Sequence, residues 1–176
     1  MKYSMPIPIS GPVGTPDNII AVARRAEELG FDVLGASERL VMPRKIGSSY
    51  PYGAAGAVPG VGTTQNMMEM LTVLSFVAGQ TSKIRLLTGA LVLPYRNPLL
   101  AAKMLATIDV LSGGRLIIGC GVGWMREESE SLGIPTAFED RGAVSDEYIG
   151  AFKELWTSGN PTFEGKHISF SEIEFA

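Results

Sequence analysis

The residues best suited to chemistry gather in one short run, Gly119-Cys120-Gly121-Val122-Gly123-Trp124, with Glu127 and Glu128 just beyond it. Glycines let a backbone approach a ligand with no Cβ in the way, or let it make a tight strand-to-helix turn. Both uses stay open here: turn geometry alone, or close approach of Gly121 and Gly123 to a ligand. A standard dinucleotide site is rejected, because the run lacks the spacing to a final glycine and the acid about 20 residues later that would hold a ribose. Cys120 reads as a buried structural thiol inside a strand, since a nucleophilic thiol needs an exposed site that lowers its pKa. Trp124 reads as an aromatic packed under a short helix, with Glu127 and Glu128 as first-turn acids that complement the helix dipole.

A second pair, Glu38-Arg39, follows directly after an apolar segment. Arginine cannot shuttle a proton near neutral pH, but it binds carboxylates and other anions. The alternative is a surface ion pair of little energetic weight. The single histidine, His167, lies in the terminal segment and reads as surface decoration. No Ser-His-Asp triad can be built without it, and no Cys/His cluster has metal-ligand spacing, so no metal site is expected.

These residues need a frame. From Lys83 to Glu128 the chain reads as strand, helix, strand and a glycine-rich turn into another helix. Ile84 to Leu93 is one apolar run, Pro98 to Leu111 has helical spacing, Ser112, Gly113 and Gly114 stop that helix, and Leu116 to Cys120 is a second buried strand. Asn97 as cap and Pro98 at the first helical position suit a helix start, although Arg96 and Asn97 could also join a site. Near-continuous apolar strands joined by a helix imply parallel strands covered on both faces, with ligands at their carboxyl ends. Upstream, Lys2 to Ile9 is a short strand broken by Pro6 and Pro8. Thr15-Pro16-Asp17 starts a helix, with Ile19, Val22, Ala23, Ala26 and Leu29 as its stripe and Gly30 as its end. Phe31 to Ala36 is a strand. Val41 to Gln65 is a long loop that leaves the carboxyl end of that strand, where it can cover a ligand pocket. Asn66 to Gly79, Met125 to Leu132 and Arg141 to Trp156 read as helices, and Pro161 to Phe175 as a hairpin around Glu164-Gly165.

Composition narrows the class. The chain has 176 residues, 45% of them hydrophobic, a formal charge of -3 and one cysteine, with a mean hydropathy of +0.18. That is enough for one domain with a real core, and too apolar for disorder. No Lys/Arg cluster invites nucleic acid or an anionic membrane. No apolar run approaches the roughly 18 residues of a membrane helix, no signal peptide is visible, and no intrachain disulfide is possible. These features point to a cytoplasmic protein.

The wording of one stretch, RNPLLAAKMLATIDVLSGGRLIIGCGVGW, resembles the bacterial-luciferase-like superfamily, most of all its branch of oxidoreductases that use the deazaflavin coenzyme F420 or FMN. The likeness runs from Met1 to about Phe170, and LSGGR followed by a strand and GxGxGW carries it. The resemblance implies a (β/α)8 TIM barrel that binds a flavin-type ring at the carboxyl ends of its strands. A complete barrel needs about 250 residues. Residues 1–176 are therefore expected to form a single domain covering about the first four βα units, a half-barrel ending before the fifth strand. The implied function is a flavin- or deazaflavin-dependent oxidoreductase or monooxygenase acting on a small-molecule substrate. Gly89 and Ala90, in TGALVLP, match a bulge that supports the ring in relatives, often with a non-proline cis peptide. Gly121 and Gly123 match the close backbone approach. Trp124 and Glu127, and less so Glu128, match a GWxxEE segment that lines the ring's edge or the substrate side. Relatives often carry Asp-His after the second strand, near the hydride-transfer centre. Glu38-Arg39 stands there instead, so these two are the candidate catalytic residues, with Arg39 able to bind an anionic substrate or a cofactor carboxylate. The resemblance also assigns most of the cofactor-phosphate contacts to the second half of a barrel, so weak cofactor binding is expected of this chain alone. Two alternatives remain: a non-catalytic half-barrel whose open strand edge pairs with a second copy as a homodimer, or a fragment of a longer enzyme.

Overall fold

A computed structural model describes residues 1–51, 53 and 66–175. Four strands form one sheet in the order β1 (Ser4–Pro6), β2 (Val33–Ala36), β3 (Arg85–Val92), β4 (Leu116–Gly121). β1 and β2 pair in parallel with Met5 beside Leu34, and β2 and β3 in parallel with Leu34 beside Leu86 and Ala36 beside Thr88. Helices α1 (Pro16–Glu28), α2 (Met70–Ala78) and α3 (Pro98–Ser112) connect successive strands, and α4 (Arg126–Ser131) and α5 (Arg141–Thr157) follow β4. A two-stranded antiparallel ladder, β5 (Phe163–Glu164) with β6 (Ser169–Phe170), ends the described chain. The result is an α/β fold with a parallel sheet. Among the described residues, no helix is long and apolar enough to cross a membrane.

The described residues divide into two compact units. The first comprises residues 1–44, 66–91 and 107–120, and the second residues 45–51, 53, 92–106 and 121–175.

In the first unit, α1 starts where its sequence demands. The Thr15 hydroxyl accepts from the Asn18 amide at 3.3 Å, with Pro16 at the first helical position and Gly30 beyond the end at φ +79°. Ile19, Ala23 and Ala26 are buried, but Leu29 lies past the last helical residue and is exposed. The next helix begins later than its apolar run suggests. Met68 N–H donates to the Ile9 carbonyl and Met67 bridges Ser10, so backbone pairing claims these residues, and α2 opens at Met70 with the Glu69 carboxylate accepting from Leu71 and Thr72 amides. Met70, Leu71, Leu74 and Val77 then fill the core.

The LSGGR segment has a structural task. Gly113 and Gly114 take positive φ, and Arg115 turns inward to 9% exposure. Its guanidinium donates to the carbonyls of Ser112, Ala78, Thr81 and Ile84 and to the Thr81 hydroxyl, at 2.5 to 3.1 Å. One side chain thus satisfies carbonyls at the ends of α2 and α3, which helices leave without internal partners. Beside it, β3 and β4 are tied by a side chain: the fully buried Thr88 hydroxyl accepts from Gly119 N–H at 2.9 Å and donates to Gly119 C=O at 3.0 Å. Gly119 must be glycine, because a Cβ there would come within 2.4 Å of the Thr88 carbonyl oxygen.

β4 departs from expectation. It is the last strand of this sheet, so its residues are half-covered, and Cys120 is exposed, not buried. Partial burial still pushes its thiol pKa up.

In the second unit, Asn97 caps α3 by accepting from Leu99 and Leu100 amides. α5 buries Val144, Tyr148, Ala151, Phe152 and Leu155. Trp156, the last residue of the expected helix, is 39% exposed, with its indole N–H donating to the Ala102 carbonyl. The terminal hairpin forms, but with Glu164 paired to Ser169 its turn centres on Lys166-His167, two residues beyond the expected Glu164-Gly165. Phe163 and Phe170 stack at 5.9 Å, and Glu147 of α5 accepts from the amides of Lys166, His167 and Ile168 in its turn.

Candidate functional site

The expected site residues fall into both units. In the first, β2 ends at Ala36, and Glu38 and Arg39 follow within three residues. The Glu38 Oε1 atom is buried from solvent, while Arg39 is half-buried. The Ala36–Thr88 register puts Gly89 one residue beyond the last β2–β3 pair. Gly89 is exposed and Ala90 half-buried, and the peptide bond between them is cis, the geometry implied by the resemblance. A Cβ on Gly89 would lie 3.6 Å from the Ala36 carbonyl, an ordinary contact. Packing does not require glycine there, so the strand presents bare backbone to solvent in the interior of the sheet.

In the second unit, Gly121 ends β4 and Gly123 takes φ +80°. A Cβ on Gly123 would meet Val92 Cγ1 at 3.0 Å and the Tyr95 hydroxyl at 3.4 Å. Backbone conformation and close packing both demand glycine, so the structural use of this residue is real. The Gly123 carbonyl accepts from Arg141 Nε at 3.1 Å, which fixes the turn before Trp124.

Trp124 and Glu127 come together with the long loop after β2. The Tyr50 ring meets Trp124 edge-on, with centroids 5.1 Å apart and planes at 61°. The Glu127 carboxylate accepts from Gly47 N–H at 2.6 Å, Ser48 N–H at 3.0 Å and the Ser48 hydroxyl at 2.8 Å. The same hydroxyl accepts from Arg126 N–H at 3.2 Å. The Glu127 carboxyl pKa is pulled down to about 2, first by its own backbone N–H and then by the Ser48 hydroxyl and the Gly47 and Ser48 amides. The loop thus reaches the Trp124 segment over residues 47–50. Residues 52 and 54–65 of the expected 41–65 loop lie outside the described residues.

Glu128 is the more buried of the two acids, at 1% exposure, and accepts from the Tyr95 hydroxyl at 3.1 Å. Sequence reasoning ranked it below Glu127 and missed Tyr95, Ser48 and Tyr50. Helical spacing held a partial signal, because adjacent helical positions are turned about 100° from each other, so Glu127 and Glu128 point in different directions. Among the described residues, no group of three or more His, Cys, Asp or Glu could hold a metal ion.

A family model described as luciferase-like monooxygenase matches residues 3–175. The chain is 28% identical over 170 residues to an FMNH(2)-dependent dimethylsulfone monooxygenase of Pseudomonas putida, covering 96% of this chain and 46% of that one. Among solved structures, monooxygenase RslO1 from Streptomyces bottropensis superposes with a TM-score of 0.75 at 25% identity, over 99% of this chain and 49% of its own. An F420-dependent secondary alcohol dehydrogenase in complex with an F420-acetone adduct shares the fold, with a TM-score of 0.76 at 18% identity over 99% and 48%. The chain spans about half the length of the curated relatives it matches.

Proposed function

This chain belongs to the luciferase-like monooxygenase family, and on that premise we propose that it is an oxidoreductase or monooxygenase working with FMN or coenzyme F420 on a small-molecule substrate. In this reading residues 1–176 are one luciferase-like domain, the first four βα units of a (β/α)8 barrel. The four-stranded sheet in sequential order supports the count, together with coverage of about half of each solved relative.

The bare backbone at Gly89 is the observation that carries the cofactor reading. A flat ring needs a surface without side chains, and an exposed glycine in an interior strand supplies one. Gly89 and Ala90 would support the ring's face. Gly121, Gly123, Trp124 and Glu127 belong to the segment at the ring's edge, with Trp124 offering its aromatic face and Glu127 acting through the loop it holds. Reduced FMN or F420 supplies the electrons or hydride. The chain's own residues bind, orient and exclude water. Glu38 and Arg39 serve an anionic substrate or a cofactor carboxylate, because an arginine holds its proton at neutral pH and binds carboxylates through paired donors.

Titration of the protein with FMN and with F420, followed by ring fluorescence, tests this. One of the two rings should be quenched, and Gly89→Val should weaken that binding at least about tenfold. Two unquenched rings, or a Gly89→Val variant that binds equally well, would overturn the reading.

A second reading, a homodimer of half-barrels, is supported by one feature. Leu100, Val110 and Leu111 of α3 are apolar and 57%, 79% and 64% exposed. Light scattering tests it: a mass of twice the 18.8 kDa chain supports pairing, and a monomer removes it.

A further inference from the structure

The Glu127 carboxylate of the Trp124 segment takes three donors from the loop. Both of its oxygens are committed: Oε1 accepts from the Gly47 and Ser48 amides, and Oε2 from the Ser48 hydroxyl. These partners are 79 or 80 residues away in sequence. The Ser48 hydroxyl closes the loop back on Arg126 N–H. Two residues further on, Tyr50 stands edge-on against Trp124. Hydrogen bonds to an ionised acceptor are about twice as strong as neutral ones, so the three donors make a strong anchor for a segment with no regular secondary structure.

We propose that Glu127 is a positioning residue: it fixes residues 47–50 so that Tyr50 becomes one wall of the site at Trp124. The two rings, at 61°, form an aromatic corner that suits a flat, apolar group of the ligand. Glu127 acts through the loop, without touching cofactor or substrate. The proposal rests on the reading of Trp124 as a site residue. The depressed carboxyl pKa agrees with it, since a carboxylate that accepts several bonds resists protonation.

The test uses the loop's own trypsin sites, Arg44 and Lys45, both exposed. Glu127→Gln removes the charge and one oxygen acceptor, and Ser48→Ala removes one donor while leaving Glu127 intact. Brief tryptic digestion of the full chain, read by mass spectrometry, should show cleavage after Arg44 or Lys45 about tenfold faster in Glu127→Gln. Ser48→Ala should show a smaller increase, and Tm and the rate at other sites should be unchanged in both. Unchanged loop cleavage overturns the proposal. So does a uniform rise in cleavage with a lower Tm, because Glu127 would then support the whole unit. Weaker retention of FMN or F420 by Glu127→Gln with loop cleavage unchanged also overturns it, since the carboxylate would then act on the ring. The digest is run without cofactor, so it decides the role of Glu127 even if the parent protein quenches neither ring and the cofactor reading falls.

Discussion

The sheet around β3 and β4 and the Trp124 segment with its loop are held by different means. Around β3 and β4, backbone ladders are reinforced by two buried side chains, Thr88 on Gly119 and Arg115 on five oxygens. Around Trp124, residues 47–50 form no helix or strand, and the Glu127 carboxylate supplies much of the order. The first arrangement is largely desolvated, so a lost partner leaves a buried polar group unsatisfied. The second is close to water, so a lost partner is replaced by solvent. Defects should therefore cost stability in the sheet and local order in the loop.

Arg115→Ala should break the sheet side most severely. It strips donors from four carbonyls and a hydroxyl, and is expected to cost about 3–4 kcal/mol in urea denaturation. A loss below about 1 kcal/mol would mean that water reaches those carbonyls. Gly119→Ala comes next. Its Cβ would press on the Thr88 oxygen, and strand β4 must shift, at about 2 kcal/mol. Tyr95→Phe probes the second unit's interior by removing the donor to the buried Glu128, with an expected cost of about 1.5 kcal/mol by the same measurement. Glu127 should give the smallest effect on stability. Its folded pKa is depressed, so its contribution is present above the ordinary carboxylate pKa and is lost as pH falls through about 2. Trp124 emission, measured in a Trp156→Phe background, should hold steady from neutral pH down through the ordinary carboxylate range and change only near the lower value. A change centred on the ordinary carboxylate pKa would show that the loop bonds to Glu127 are not made in solution.

The same contrast explains what the sequence disclosed. Every sheet strand and each longer helix could be read from apolar runs, a Thr-Pro-Asp start and glycine stops, because short-range chemistry fixes them. Errors arose where a distant partner decided. Met67 and Met68 carry a helical pattern, but pairing with Ser10 and Ile9 takes them. Cys120 looks buried by its neighbours, but among the described residues β4 is the last strand in the sheet order and Cys120 is exposed. For the site, Gly89, Trp124 and Glu127 were legible through motif resemblance. Ser48 and Tyr50 were not, because nothing local marks residues that meet partners more than seventy positions away.

Arg115 has one more consequence. All the oxygens that its guanidinium touches lie between Ala78 and Ser112, so its bonds span at most 37 residues of chain. Such wiring is local enough to close early in folding and dense enough to open late, the mark of a cooperative folding unit. The amide of Leu86, bonded to the Arg115 carbonyl, should be among the last to exchange its hydrogen for deuterium.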